Sequence, residues 1–152
     1  MMPRLNHFTA NPAALQALLE AGKVAHGPAL DPKLRELVQV RASQINGCAY
    51  CLHYHLADAR KAGETEDRLH LLSAWRESNL YSERERAALA WTEALTLIAD
   101  THAPDEDYAA LAEHFTPAEQ VQLSLLIGLV NAWNRLNIGF RPVHAADKRK
   151  AA

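Results

Sequence analysis

Three times along the chain a helix-capping side chain stands directly before a proline: Asn11-Pro12, Asp31-Pro32 and Thr116-Pro117. Asn, Asp and Thr oxygens accept from the free amides at a helix start, and proline suits the first helical position because its missing N–H would have no partner there. Each pair is therefore a helix start. Glu119 turns the third into a capping box, and Ser82 with Glu85 makes another. Pro104-Asp105 opens a further, shorter helix. Gly22, Asn46-Gly47 and Gly63 are the stop signals. The spacing predicts helices from Pro12 to Gly22, Pro32 to Asn46, Cys48 to Ala62, Glu66 to Trp75, Ser82 through Ile98, Asp105 to Phe115, and Thr116 to Ile138. No alternating apolar run reaches useful strand length, and no segment repeats. The expectation is an all-α chain of about six or seven helices.

A chain of 152 residues is the size of one domain, and residues 1–152 are read as one. Hydrophobic residues at 49% and charged residues at 22% are a globular balance. The net charge of −2 provides no basic surface for nucleic acid or anionic membrane. The longest apolar stretch, Leu123 to Val130, falls far short of the roughly 20 residues of a membrane span. The start, MMPRLNHFTANPAA, has no continuous apolar region and no cleavage site of a secretory signal, so a cytoplasmic location is expected. The charged run Asp147-Lys148-Arg149-Lys150 reads as a frayed, solvated tail. The last long helix is different: Val121, Leu123, Leu125, Leu126, Ile127, Leu129, Val130 and Trp133 surround most of its circumference. Such a helix must be buried on all sides, either at the centre of the chain or by another subunit, and a homo-oligomer is the favoured reading.

The only two cysteines, Cys48 and Cys51, are three residues apart, too close to staple a fold. On a helical wheel Ile45, Ala49, Leu52, Leu56 and Ala59 share one arc if the phase is carried across Gly47. Cys48, Cys51 and His55 form a stripe along its edge, with Cys51 on the more accessible border and Cys48 nearer the core. His53 points to the opposite side, towards surface or an interface. A helix N-terminus and a nearby imidazole both lower a thiol's pKa, and the thiolate is the reactive species. One cysteine can then attack and the other resolve the oxidised product, with Cys51 favoured by exposure and Cys48 by the helix dipole. The competing readings are two inert buried cysteines, or zinc held by Cys48, Cys51 and His55 with Glu36 or His53 as a fourth ligand. Three ligands on one helix within seven residues make an awkward tetrahedron. The absence of a βαβ pattern argues against a thioredoxin fold.

The stretch Glu36 to Gly63, ELVQVRASQINGCAYCLHYHLADARKAG, resembles the core motif of the carboxymuconolactone decarboxylase superfamily, and most of all its alkylhydroperoxidase D (AhpD)-like branch. That motif is a glutamate, eleven residues, then Cys-x-x-Cys-x-x-x-His, and Glu36, Cys48, Cys51 and His55 match it at every position. The run from Ser82 to Arg141, with Trp91-Thr92-Glu93 and Asn131-Ala132-Trp133-Asn134, is similar to the helices that follow in the family.

The resemblance implies an AhpD-like all-α fold and a thiol peroxidase without cofactor or metal. By that analogy Cys51 attacks the peroxide, Cys48 forms the disulfide, His55 is the acid/base and Glu36 orients it or relays the proton. The reductant would be a lipoyl or thioredoxin-like dithiol, and the assembly a trimer-based or hexameric homo-oligomer. By position alone Glu36 lies off the apolar face of its helix and reads as a solvated carboxylate. Where the family often carries a second histidine, just before the second cysteine, this chain has Tyr50, and a phenol of pKa about 10 is a poorer proton shuttle near neutrality. The other readings are a lyase like the superfamily's namesake, whose chemistry does not need a Cys-x-x-Cys pair, and an oligomeric redox sensor that does not turn over. Arg41 falls inside an apolar stripe and either snorkels or meets a carboxylate. Trp75, Trp91 and Trp133 read as core or interface aromatics.

Overall fold

Every start signal opens a helix in a computed structural model of the chain, which describes residues 2–148. Asn11, Asp31, Ser82 and Thr116 each accept a backbone N–H through the side chain, and both capping boxes close reciprocally. In chain order the helices are α1 (His7–Ala10), α2 (Pro12–Ala25), α3 (Pro32–Asn46), α4 (Ala49–Lys61) and α5 (Glu66–Leu71), then α6 (Glu83–Thr96), α7 (Ile98–Thr101), α8 (Asp105–His114), α9 (Pro117–Phe140) and α10 (Ala145–Lys148). A 3₁₀ run, Leu72–Glu77, follows α5. The described residues contain no strand, and none of their helices is long and apolar enough to cross a membrane.

Several boundaries differ from expectation. Helix α2 runs through Gly22 to Ala25, because glycine costs only about 1 kcal/mol inside a helix and does not by itself end one. The segment expected to stay helical to Trp75 tightens to 3₁₀ geometry after Leu71, with Ala74 out of helical φ/ψ. Ile98 is not on the core face of α6: that helix ends at Thr96, and Ile98 starts α7 with 52% of its surface exposed. Asp147 and Lys148 belong to a short helical turn rather than a frayed tail, while Arg149 and Lys150 lie outside the described residues.

The centre of the chain is α3. Its Leu34 and Val38 pack with Ala88 of α6 and Leu123, Leu126 and Ile127 of α9. Its Leu37 and Val40 pack on the other side with Ala59, Leu72, Trp75 and Leu89. Helix α9 is therefore not buried all round within one chain. Leu123, Leu126, Ile127 and Val130 are covered, whereas Val121 is 70% and Leu125 39% exposed.

Arg41 meets a carboxylate. Its Nε donates to Glu93 Oε1 at 2.8 Å, Trp75 Nε1 donates to the same oxygen at 2.8 Å, and Arg76 binds Oε2. This half-buried node ties α3, the 3₁₀ run and α6 together. Burial alone would raise the Glu93 pKa, but the bonds from Trp75, Arg76 and Arg41 outweigh it and hold the carboxyl below its usual value. The depressed folded pKa means that Glu93 contributes fully above the unfolded carboxylate value and progressively less as pH falls through the folded one. Removing the carboxylate leaves buried donors unpaired, so Glu93→Ala is expected to cost about 2–4 kcal/mol in urea unfolding. Glu93→Gln is expected to lessen the loss of stability below about pH 4.5, measured by the same denaturation at a series of pH values.

Candidate active site

Gly47 sets the site up. It stands at φ +69°, a left-handed conformation that ends α3 and redirects the chain, and the N–H of Cys48 returns to Ser43 O at 3.0 Å. The helical phase is not carried across this residue, so Ala49, expected on the core arc, is exposed. The turn is fixed from the far side by Asn46, whose Nδ2 donates to Asn131 Oδ1 at 2.9 Å and Asn134 Oδ1 at 2.8 Å on α9.

Cys48 is the N-cap of α4 rather than part of it, and its Sγ accepts from the Cys51 N–H at 3.3 Å. The two cysteines are joined by a disulfide with their Cα atoms 5.4 Å apart. The expected difference in accessibility between them is absent, since Cys48 is 1% and Cys51 3% exposed. What separates them is the cavity each one lines. Cys51 opens onto a cavity of about 280 Å³ shared with His55, Tyr54, Phe8, Leu129 and Trp133. Cys48 opens onto one of about 610 Å³ beside Arg4, Arg141 and His144. Tyr50 and Asn137 line both.

Glu36 is not a solvated carboxylate. Its side chain is 14% exposed, and its Oε2 lies 3.0 Å from Nδ1 of His55. Its other oxygen accepts from Gln39 Nε2 at 3.2 Å. A carboxylate only accepts, so Nδ1 of His55 carries the hydrogen of this bond and Nε2 is left to exchange a proton with whatever occupies the cavity. The structure thus brings Cys48, Cys51, His55 and Glu36 together, and adds Gln39 and Asn137, which sequence reasoning did not select. Gln39 stands three residues after Glu36 on α3, the spacing of helical neighbours, which is the one local signal for it. Asn137 has no local signal, being far from the motif in sequence. His53 is half-buried against the ring of His144, with centroids 5.0 Å apart, rather than free at the surface. Burial and the neighbouring Tyr54 push Tyr50 up to about 12, so the residue in the second histidine's place stays protonated near neutrality. Among the described residues no group of three or more His, Cys, Asp or Glu converges as a metal site.

The sequence profile of the carboxymuconolactone decarboxylase family matches residues 12–94, more than half of the chain. The chain belongs to that family. A relative from Bacillus subtilis (strain 168), the uncharacterized protein YdfG, is 39% identical over 138 residues, covering 91% of this chain and 94% of its own. The crystal structure of a protein of unknown function from Agrobacterium tumefaciens, described as a candidate antioxidant defence protein AhpD, superposes with a TM-score of 0.91 at 40% identity. That match covers 94% of this chain and 98% of the other. An uncharacterized peroxidase-related protein from Silicibacter sp. TM1040 shares the fold, with a TM-score of 0.76 at 23% identity over 90% of this chain and 73% of its own. The AhpD-like helical fold is thus a property of this family member.

With both sulfurs in one disulfide, protein prepared in air and denatured without reductant is expected to titrate no free thiol, and two after reduction. Ellman titration of the two samples checks this.

Proposed function

We propose that the chain is a cofactor-free thiol peroxidase that reduces hydroperoxides through a dithiol–disulfide cycle of Cys51 and Cys48. The observation that carries the reading is that Cys51 and His55 open onto one cavity while His55 is held by Glu36 and Cys51 is bonded to Cys48. The mostly apolar wall of Phe8, Leu129 and Trp133 suits an organic hydroperoxide. In the reduced protein the Cys51 thiolate attacks the terminal peroxide oxygen, the O–O bond breaks, and the leaving alkoxide takes a proton from His55. Cys51 becomes a sulfenic acid. The Cys48 thiol then displaces its hydroxyl as water, forming the disulfide. A dithiol reductant, lipoyl or thioredoxin-like, supplies two electrons and two protons and leaves as its own disulfide. The cavity supports Cys51 as attacker, because Cys48 lines the space that lacks His55. His55 is taken as the acid/base because Glu36 holds its Nδ1 and the ring lines the same cavity as Cys51.

Cys51→Ser is expected to abolish peroxide consumption. Cys48→Ser should consume one equivalent and hold a sulfenic acid on Cys51, detected by mass spectrometry after dimedone trapping. His55→Ala should slow the reaction roughly 10²- to 10⁴-fold and Glu36→Gln less, because Glu36 acts only through His55. Sulfenic acid at Cys48 in the Cys51→Ser protein would reverse the assignment. Stoichiometric consumption that no dithiol converts to turnover would favour a redox sensor.

A homo-oligomer, trimer-based or hexameric, belongs to the same proposal. Its support is the apolar stripe left open on α9, where Val121 and Leu125 lie one helical turn apart and Gly128 has nothing within 4 Å of an added Cβ. Light scattering at micromolar concentration should give a multiple of the chain mass, and Val121→Asp should shift it towards monomer. A monomeric mass for the unaltered protein would remove the claim.

A further inference from the structure

Helix α9 carries three buried asparagines at three-residue intervals, Asn131, Asn134 and Asn137. The first two are used by the fold. Asn131 donates to Thr96 Oγ1 at 3.0 Å and accepts from Asn46 at 2.9 Å. Asn134 donates to Ser43 Oγ at 3.1 Å and accepts from Asn46 at 2.8 Å. Asn137 differs. Only 6% of it is exposed, its Nδ2 lies 3.4 Å from Cys51 Sγ, and its Oδ1, though buried, has no hydrogen-bond partner among the described residues.

A disulfide sulfur has no hydrogen to give, so the amide must face it with its NH₂ group. That bond is weak while Cys51 is in the disulfide and strong once Cys51 is a thiolate, because donors to a charged acceptor bind about twice as well. The carbonyl oxygen of the same amide belongs to a residue lining both cavities. A buried amide oxygen left unpaired is unfavourable, and a ligand with one O–H beside the sulfur would relieve it.

We propose that Asn137 is a catalytic residue of the peroxidase reading, on which this inference rests. Its Nδ2 stabilises the Cys51 thiolate, and its Oδ1 accepts the O–H of the incoming hydroperoxide. One rigid planar group then grips both reactants. The terminal oxygen, the one bearing hydrogen, is held against the sulfur that attacks it, and the far oxygen leaves with the proton from His55. The balance is thiolate plus hydroperoxide plus one proton going to sulfenic acid plus alcohol, with sulfur oxidised by two electrons and the O–O bond reduced by two. The acceptor also sets specificity, since a peroxide without an O–H has nothing to give to Oδ1.

The test uses reduced Cys48→Ser protein, in which Cys51 is the one remaining thiol, alone and combined with Asn137→Ala or with the isosteric Asn137→Asp. Thiolate absorbance near 240 nm is titrated against pH, and sulfenic acid formation with tert-butyl hydroperoxide is timed and corrected for thiolate fraction. Losing the donor should raise the thiol midpoint by about one pH unit in Asn137→Ala, and further in Asn137→Asp, where a carboxylate repels the thiolate. The corrected rate should fall about tenfold in Asn137→Ala and recover in Asn137→Asp, which restores an acceptor oxygen. An unchanged midpoint and corrected rate in folded Asn137→Ala would overturn the proposal. A raised midpoint with an unchanged corrected rate would overturn its acceptor half. If Cys48→Ser protein does not react with hydroperoxide at all while Asn137 still moves the midpoint, the peroxidase reading fails and the grip on the thiolate stands.

Discussion

One amide holds the cysteine turn to the rest of the molecule. Asn46, the last residue of α3, donates both hydrogens of its side chain to α9, one to Asn131 and one to Asn134. Gly47 takes its left-handed conformation because it has no Cβ, and with Asn46 fixed beside it α4 starts in a defined direction. The clamp is satisfied at both ends, with Ser43 and Thr96 closing the remaining donors, so a polar network sits at the helix crossing without stranding a buried group. The position of Cys48, and the direction in which α4 carries Cys51 and His55, follow from it.

Around that turn the molecule separates two electrostatic problems. The Glu93 node satisfies Arg41, Arg76 and Trp75 on the side of α3 that faces α6, and it is complete in itself. The Glu36 carboxylate is bound by Gln39 on one oxygen and by His55 on the other, leaving the second imidazole nitrogen uncommitted. The first arrangement contributes to stability. The second fixes the orientation of the His55 ring, which lines the same cavity as Cys51.

Much of the fold was legible because its signals are local. A cap oxygen, a first-turn proline or a capping box acts within four residues, so Asn11, Asp31, Ser82 and Thr116 give helix starts without reference to the rest of the chain. Ends were less legible. Gly22 reads as a stop but lies inside a continuing helix, and Ile98 keeps the period of α6 yet lies beyond its end. Of the two ways to cover α9 that its composition offered, the centre of a single chain is not the one the fold takes, since Val121 and Leu125 stay exposed. Its apolar residues do surround the axis, but burial depends on what packs where, and α3 with a more polar sequence takes the central place.

At the site, the sequence by itself determined the chemical types: two thiols three residues apart, a histidine four residues on, and a glutamate twelve residues before the first cysteine. These spacings lie within one helix–turn–helix unit, where 3.6-residue periodicity and one glycine turn decide what meets. Tertiary structure alone decided the rest. It buried both cysteines equally and gave each its own cavity, so the distinction the helical wheel drew between them is one of surroundings and not exposure. It also brought Asn137 to Cys51 across 86 residues of chain, a contact that depends on how α9 crosses α4. Local periodicity carries no information about a crossing between helices so far apart in sequence, because it is set by side-chain packing summed over the whole core.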